Sequence, residues 1–164
     1  MSTPAPRLPA EQLAMMRRGV SVIVGSRDAS LRPSLMRAVG SDVSQDGGVI
    51  TVFLARGQSR QLLQDIAATG QVAVVFSEPS THRSLQLKAS RAGVRNADET
   101  DRPALARYLA SMEHEIAQVG FPPEVTRAML AHRLEDLVAV SFTPEQAFEQ
   151  TPGPRAGTAM GGSA

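Results

Sequence analysis

At 164 residues the chain has the length of one domain, able to bury roughly 70% of its unfolded surface, and its formal net charge of +1 gives no general attraction to nucleic acid or an anionic membrane. Hydrophobic residues make up 42% and charged residues 20%, a globular balance, and the absence of cysteine excludes disulfides, thiolate metal sites and cysteine catalysis. No apolar run reaches the length of a membrane span, and 4% aromatics with one tyrosine and no tryptophan argue against a base-stacking surface.

Residues 1–10 carry three prolines and no apolar signal core, so they read as a flexible leader on a cytoplasmic protein. Pro9 to Arg18 reads as a short helix closed by Gly19, followed by an alternating strand from Val20 to Gly25. Asp28 to Pro33 is a turn, Ser34 to Val39 a second strand, and Asp42 to Gly48 another turn. Val49 to Ala55 is β-branched and apolar, a third strand. A helix from Ser59 to Thr69 follows and ends at Gly70, a natural left-handed cap. Gln71 to Ser77 is apolar on both faces and should be central, while Arg83 to Val94 reads as one long strand. Leu105, Tyr108, Leu109, Met112, Ile116 and Val119 recur at helical spacing, and Pro122-Pro123 open a second helix to about His132. Asp136 to Thr143 is the last strand, and the Pro- and Gly-rich remainder reads as a flexible tail.

The strand turns are too short for crossover helices, so the expected fold is α+β, mainly β: a six-stranded antiparallel split barrel with flanking helices. The expected domain runs over 11–143, with a helical pair at 101–132 inserted before the last strand and a tail at 144–164.

The most informative stretch is Phe53-Leu54-Ala55-Arg56-Gly57-Gln58-Ser59-Arg60-Gln61-Leu62-Leu63. Ser59 stands at the N-cap position with Arg60 behind it, where unpaired backbone N–H groups and the positive end of the helix dipole favour an anion. A hydroxyl and a guanidinium there make a phosphate cradle, although an ordinary helix start with a solvated arginine has the same residues. His82, His114 and His132 are too scattered for a metal site, and Ser26-Arg27-Asp28 and Ser41-Asp42 are turn residues without a histidine to activate them.

The order of these parts resembles the flavin-binding split barrel of the pyridoxamine 5'-phosphate oxidase-like superfamily, over roughly Val20 to Gly93 plus the final strand. That family carries an Arg-x-x-x-x-Lys/Arg strand, a strand-end Tyr/Phe-Thr, and a Ser-Arg-Lys at a helix start. Arg32-Pro33-Ser34-Leu35-Met36-Arg37, Leu54-Ala55 and Ser59-Arg60-Gln61 take those places, and Arg83-Ser84-Leu85-Gln86-Leu87-Lys88-Ala89 resembles the family's next element, an Arg-Gln and an alternating strand ending in Gly. There are departures. Gln61 replaces a lysine, Leu54-Ala55 lacks the threonine hydroxyl, Ser84 and Ala89 replace Gln and Gly, and nothing after Phe142 matches the oxidase's C-terminal Trp and Arg/His elements. The resemblance therefore implies FMN binding without implying pyridoxamine phosphate oxidase activity. It names Arg32, Met36, Arg37, Leu54, Ala55, Ser59, Arg60, Gln61 and Ser84 as cofactor-binding candidates. It also implies a homodimer with the cofactor near the subunit interface, acting as an oxidoreductase on a small substrate, with no metal. The alternatives are the F420-dependent enzymes of this fold and a flavin- or haem-binding module without turnover. The redox chemistry would belong to the cofactor, since no acid/base pair stands out.

Overall fold

A computed structural model describes residues 5–161. The chain builds two antiparallel sheets with helices packed outside them. In chain order the elements are α1 (Ala10–Arg18), β1 (Ser21–Arg27), β2 (Pro33–Arg37), β3 (Gly40–Val43), β4 (Ile50–Ala55), α2 (Arg60–Thr69), β5 (Val72–Ser77), β6 (Ser84–Ala89), β7 (Gly93–Asn96), α3 (Arg102–Gln118), α4 (Pro123–Met129), β8 (Leu137–Phe142), β9 (Gln146–Glu149) and β10 (Ala159–Met160). One sheet has the order β10-β9-β6-β5-β1-β2 and the other β3-β4-β8-β7.

The core lies between the sheets. Val22, Val24, Val74, Phe76, Leu85 and Leu87 point inward from the six-stranded sheet to meet Ile50, Val52, Leu54, Val140 and Phe142 of the other. A second cluster, with Val39, Phe53, Ala104, Leu105, Leu137 and Ala139, fills the space between the four-stranded sheet and α3. That sheet is thus covered on both faces, which explains why β4 and β8 are continuous apolar runs. β5 is central, between β1 and β6, but it alternates: Val72, Val74 and Phe76 are buried while Ala73, Val75 and Ser77 stay half-exposed on the outer face.

Two strands expected as single runs are each broken where the chain changes sheet. Ala38 N–H donates to Val22 O of β1, but the next N–H, from Val39, donates to Phe53 O of β4. The expected strand through Val39 thus ends at Arg37, and Gly40–Val43, half of it expected to be turn, becomes β3. The expected run Arg83 to Val94 divides in the same way into β6, paired with β5, and β7, paired with β8. At the break, Ala92 N–H is taken by Gly70 O.

The flexible tail expected over 144–164 is corrected by the structure as far as residue 161, and residues 162–164 lie outside the described residues. β9 pairs with β6 and β10 pairs with β9, so the open edge of β6 is covered. Glu145 N–H donates to Lys88 O and Gln150 N–H to Ser84 O, continuing the ladder at both ends. Ala147 is buried and Met160 packs on the core. The barrel therefore has ten strands among the described residues, not six, and its domain extends past residue 143. Of the expected leader, residues 1–4 fall outside the described residues, while Leu8 packs against the core. Among the described residues no helix is long and apolar enough to cross a membrane.

Candidate functional site

β4 delivers the chain at Ala55 to a 3-10 turn, Arg56–Gln58, from which α2 starts. Leu62 and Ile66 bury one face of α2, and that anchorage fixes the direction of its start. Ser59 occupies the N-cap position, yet its side chain caps nothing. Its Oγ is buried and has no hydrogen-bond partner, and the residue is only 1% exposed. A buried hydroxyl without a partner is costly to hold, and such atoms in native folds call for a reason. The turn before it is loosely surrounded, because a Cβ added at Gly57 would meet nothing within 4 Å.

A cavity of about 680 Å³ opens beside this helix start, lined by Ala55, Arg56, Gly57, Arg60, His132 and Arg133 among others. Three arginines face one acid there, Asp136. Arg56 is engaged by the Asn96 side chain, and Arg133 is ion-paired with Glu135, which keeps its guanidinium firmly charged. Arg60 makes neither an ion pair nor a side-chain hydrogen bond among the described residues. His132 Nδ1 lies 2.8 Å from Leu130 O, and its N–H donates to that carbonyl. The segment 131–136, which follows α4, is thus a wall of this cavity.

The other sequence-derived candidates fall into separate groups. Gln61 is not free: its amide donates to Asp65 Oδ1 at 2.8 Å, and Ser34 Oγ of β2 donates to Asp65 Oδ2 at 2.5 Å. Asp65, only 4% exposed, thereby ties α2 to β2. Arg32 is exposed and pairs with Asp28 at 3.0 Å across the β1–β2 turn. Arg37 donates to Ser21 Oγ at 2.6 Å, Ser21 stands opposite Ser77, and Ser77 Oγ shares a hydrogen bond with Ser84 Oγ at 2.7 Å. Arg37 and Ser84 therefore belong to one polar row on the outer face of the six-stranded sheet. Met36 packs against the core, and Leu54 is fully buried within it. Of the nine candidates, Ala55 and Arg60 line the cavity, and Ser59 adjoins them.

Arg56, His132 and Arg133 were not among the sequence-derived candidates. Arg56 was legible as the neighbour of the motif, but nothing local marks 132–133, because the loop after α4 reaches the cavity only through the tertiary fold. Among the described residues no group of three or more His, Cys, Asp or Glu is placed to hold a metal ion.

The residues present fit the phosphate of a cofactor at one of the three motif positions, Arg60. Arg60 supplies a free guanidinium and the α2 start supplies backbone donors, with Ser59 Oγ unpartnered behind them. An anion reaches that hydroxyl only if the chain covering it moves aside. The third position does not fit, since Gln61 brings no charge and its amide is occupied.

No protein-family profile and no curated protein matches the sequence. Solved structures do match. A proposed pyridoxamine 5'-phosphate oxidase from Lactobacillus delbrueckii is 16% identical with a TM-score of 0.54, over 87% of this chain and 93% of that one. A pyridoxamine 5'-phosphate oxidase-related, FMN-binding protein from Nostoc punctiforme is 12% identical with a TM-score of 0.52, over 93% and 88%. An F420 reductase is 17% identical with a TM-score of 0.53, over 85% and 98%.

Proposed function

Since the chain has the split-barrel fold of the pyridoxamine 5'-phosphate oxidase-like superfamily, we propose that it is a flavoprotein that binds FMN and serves as an oxidoreductase on a small substrate. The observation that carries this reading is the unpaired Arg60 at the start of α2, facing a cavity rich in arginine. Arg60 and the first N–H groups of α2 would hold the phosphate, with Arg56 and Arg133 adding positive potential. FMN supplies the capacity to accept and return a hydride or single electrons. The chain's own part is to anchor the phosphate, orient the ring and shield it from water.

The same reading includes a homodimer. Leu31 and Leu35 are 68% and 66% exposed at the β2 edge, and Ile23, Ala73 and Val75 stay half-exposed on the outer face of the same sheet. A sheet face of this kind, with apolar residues set between Arg37 on one side and Lys88 on the other, suits a self-complementary, two-fold contact. Leu35→Asp should convert a dimer-sized peak in gel filtration to a monomer-sized one; an unchanged peak would place the contact elsewhere.

One observation favours a second reading, in which the fold holds F420 or haem, or has lost its cofactor. Gln61 stands where the family carries a cation and spends its amide on Asp65. An absorption spectrum of the purified protein, before and after loading with FMN and removal of the excess, separates the two. Flavin retained near one per subunit supports the first; an F420 or Soret spectrum, or a colourless protein, supports the second.

A further inference from the structure

A second hollow, of about 360 Å³, lies at the opposite flank of the six-stranded sheet, between α1 and the β9–β10 hairpin. We propose that it is a binding site for a small zwitterion, an α-amino acid with free amino and carboxyl groups. Four charged residues line it, Glu11 and Glu149 against Arg83 and Arg155, so its formal charge cancels and favours a ligand that is neutral overall but carries both signs.

The placement of the unmet groups sets the ligand's chemistry. Gln12 Nε2 donates to Glu149 Oε2 at 3.1 Å, and Thr151 N–H donates to Glu149 Oε1 at 2.9 Å. These bonds, from Thr151 first, hold the Glu149 carboxyl below the usual range, so it is ionised at neutral pH. An ionised carboxylate only accepts, which fixes the orientation of the Gln12 amide and makes Oε1 its free end. Gln12 Oε1 is buried and has no donor. An ammonium in the hollow meets Glu149 first, and it satisfies Gln12 Oε1 only as that side chain turns outward. On the positive side the two arginines differ. Arg83 is already taken by Glu78, at 3.1 Å, and lies 3.7 Å from Glu11. Arg155 makes no ion pair or side-chain hydrogen bond among the described residues, so its guanidinium is open to a carboxylate. Met15 and Met160 add apolar wall for a side chain.

Titration calorimetry of the full chain with L-leucine tests this, with L-leucinamide and N-acetyl-L-leucine as the blocked forms. Saturable one-site binding of L-leucine is expected, weakened at least tenfold by blocking either end, by Arg155→Gln and by Gln12→Leu, and unchanged by Arg91→Gln. Arg155 is exposed, so its replacement leaves the fold intact even if the Gln12 variant does not. No saturable heat with L-leucine would overturn the proposal. So would equal binding of the blocked forms, or binding that survives Arg155→Gln. None of these outcomes depends on whether FMN binds.

Discussion

The two ends of α2 are built on opposite plans. At its C-terminal end Gly70 takes a left-handed conformation, φ +70°, and its N–H closes the helix on Ile66 O at 2.7 Å. A Cβ there would lie 2.5 Å from Ser90 O, so the backbone of the next crossing is packed against it. Gly70 O in turn accepts from Ala92 N–H, where the chain leaves one sheet for the other. Thr69 Oγ1 adds a further bond, donating to Asp65 O at 2.8 Å. At the N-terminal end Ser59 caps nothing, its hydroxyl is orphaned, Gly57 is surrounded by open space and Arg60 is unpaired. The two ends of this helix differ in unmet hydrogen-bonding capacity, not in residue type alone.

Ile66→Ala tests the anchorage that both ends share. Ile66 is 1% exposed in the main core, so the substitution should cost about 2–5 kcal/mol in a denaturant titration. A loss under about 1 kcal/mol would mean that α2 is not held by its apolar face.

Gly70→Ala and Gly57→Ala compare the ends directly. The first should destabilise by about 1–3 kcal/mol, from left-handed strain plus the collision with Ser90 O, and the second should change the melting temperature little. Equal effects would erase the distinction drawn between the two ends.

Arg60→Ala should weaken FMN about tenfold in a titration followed by flavin fluorescence, the loss expected when one charge-assisted bond is removed. Arg91→Ala should leave the affinity unchanged, because Arg91 lies beyond β6 and outside the cavity. Equal affinities for the two variants would remove Arg60 from the site.

The smallest effect concerns acid. Ser90, which crowds Gly70, donates its hydroxyl to Glu145 at 2.8 Å, and that bond holds the Glu145 carboxyl below its usual range. A carboxyl with a depressed folded pKa contributes stability above its unfolded pKa and loses it as pH falls through the folded value. Glu145→Gln should therefore lower stability slightly at neutral pH and flatten its decline below about pH 4.5. A wild-type decline that is unchanged in the variant would show that this bond contributes nothing.

Gly70 was readable as a left-handed stop, β4, β5 and β8 as apolar runs and α3 from its helical spacing, because each signal depends on neighbours in the chain. The sheet changes at 38–39 and around Ala92 were not readable, since a strand that passes from one sheet to another keeps its local propensity throughout. The tail misled for the opposite reason. Its prolines and glycines forecast disorder, yet Gln146–Glu149 and Ala159–Met160 find a ladder because β6 leaves an edge open. At the candidate site, the sequence placed Ser59 and Arg60 at a helix start. It could not show that Gln61 turns to Asp65, or that His132 and Arg133 come round to form the opposite wall.

By itself, then, the sequence determined the α+β class, the strands β1, β4, β5 and β8, and the left-handed stop of α2. Those properties follow from local sterics, periodicity and spacing. The partition into sheets, the ordered tail, and the choice of which arginines stay unpaired were decided by the tertiary structure alone. Each depends on which groups, distant in sequence, compete for the same hydrogen bonds.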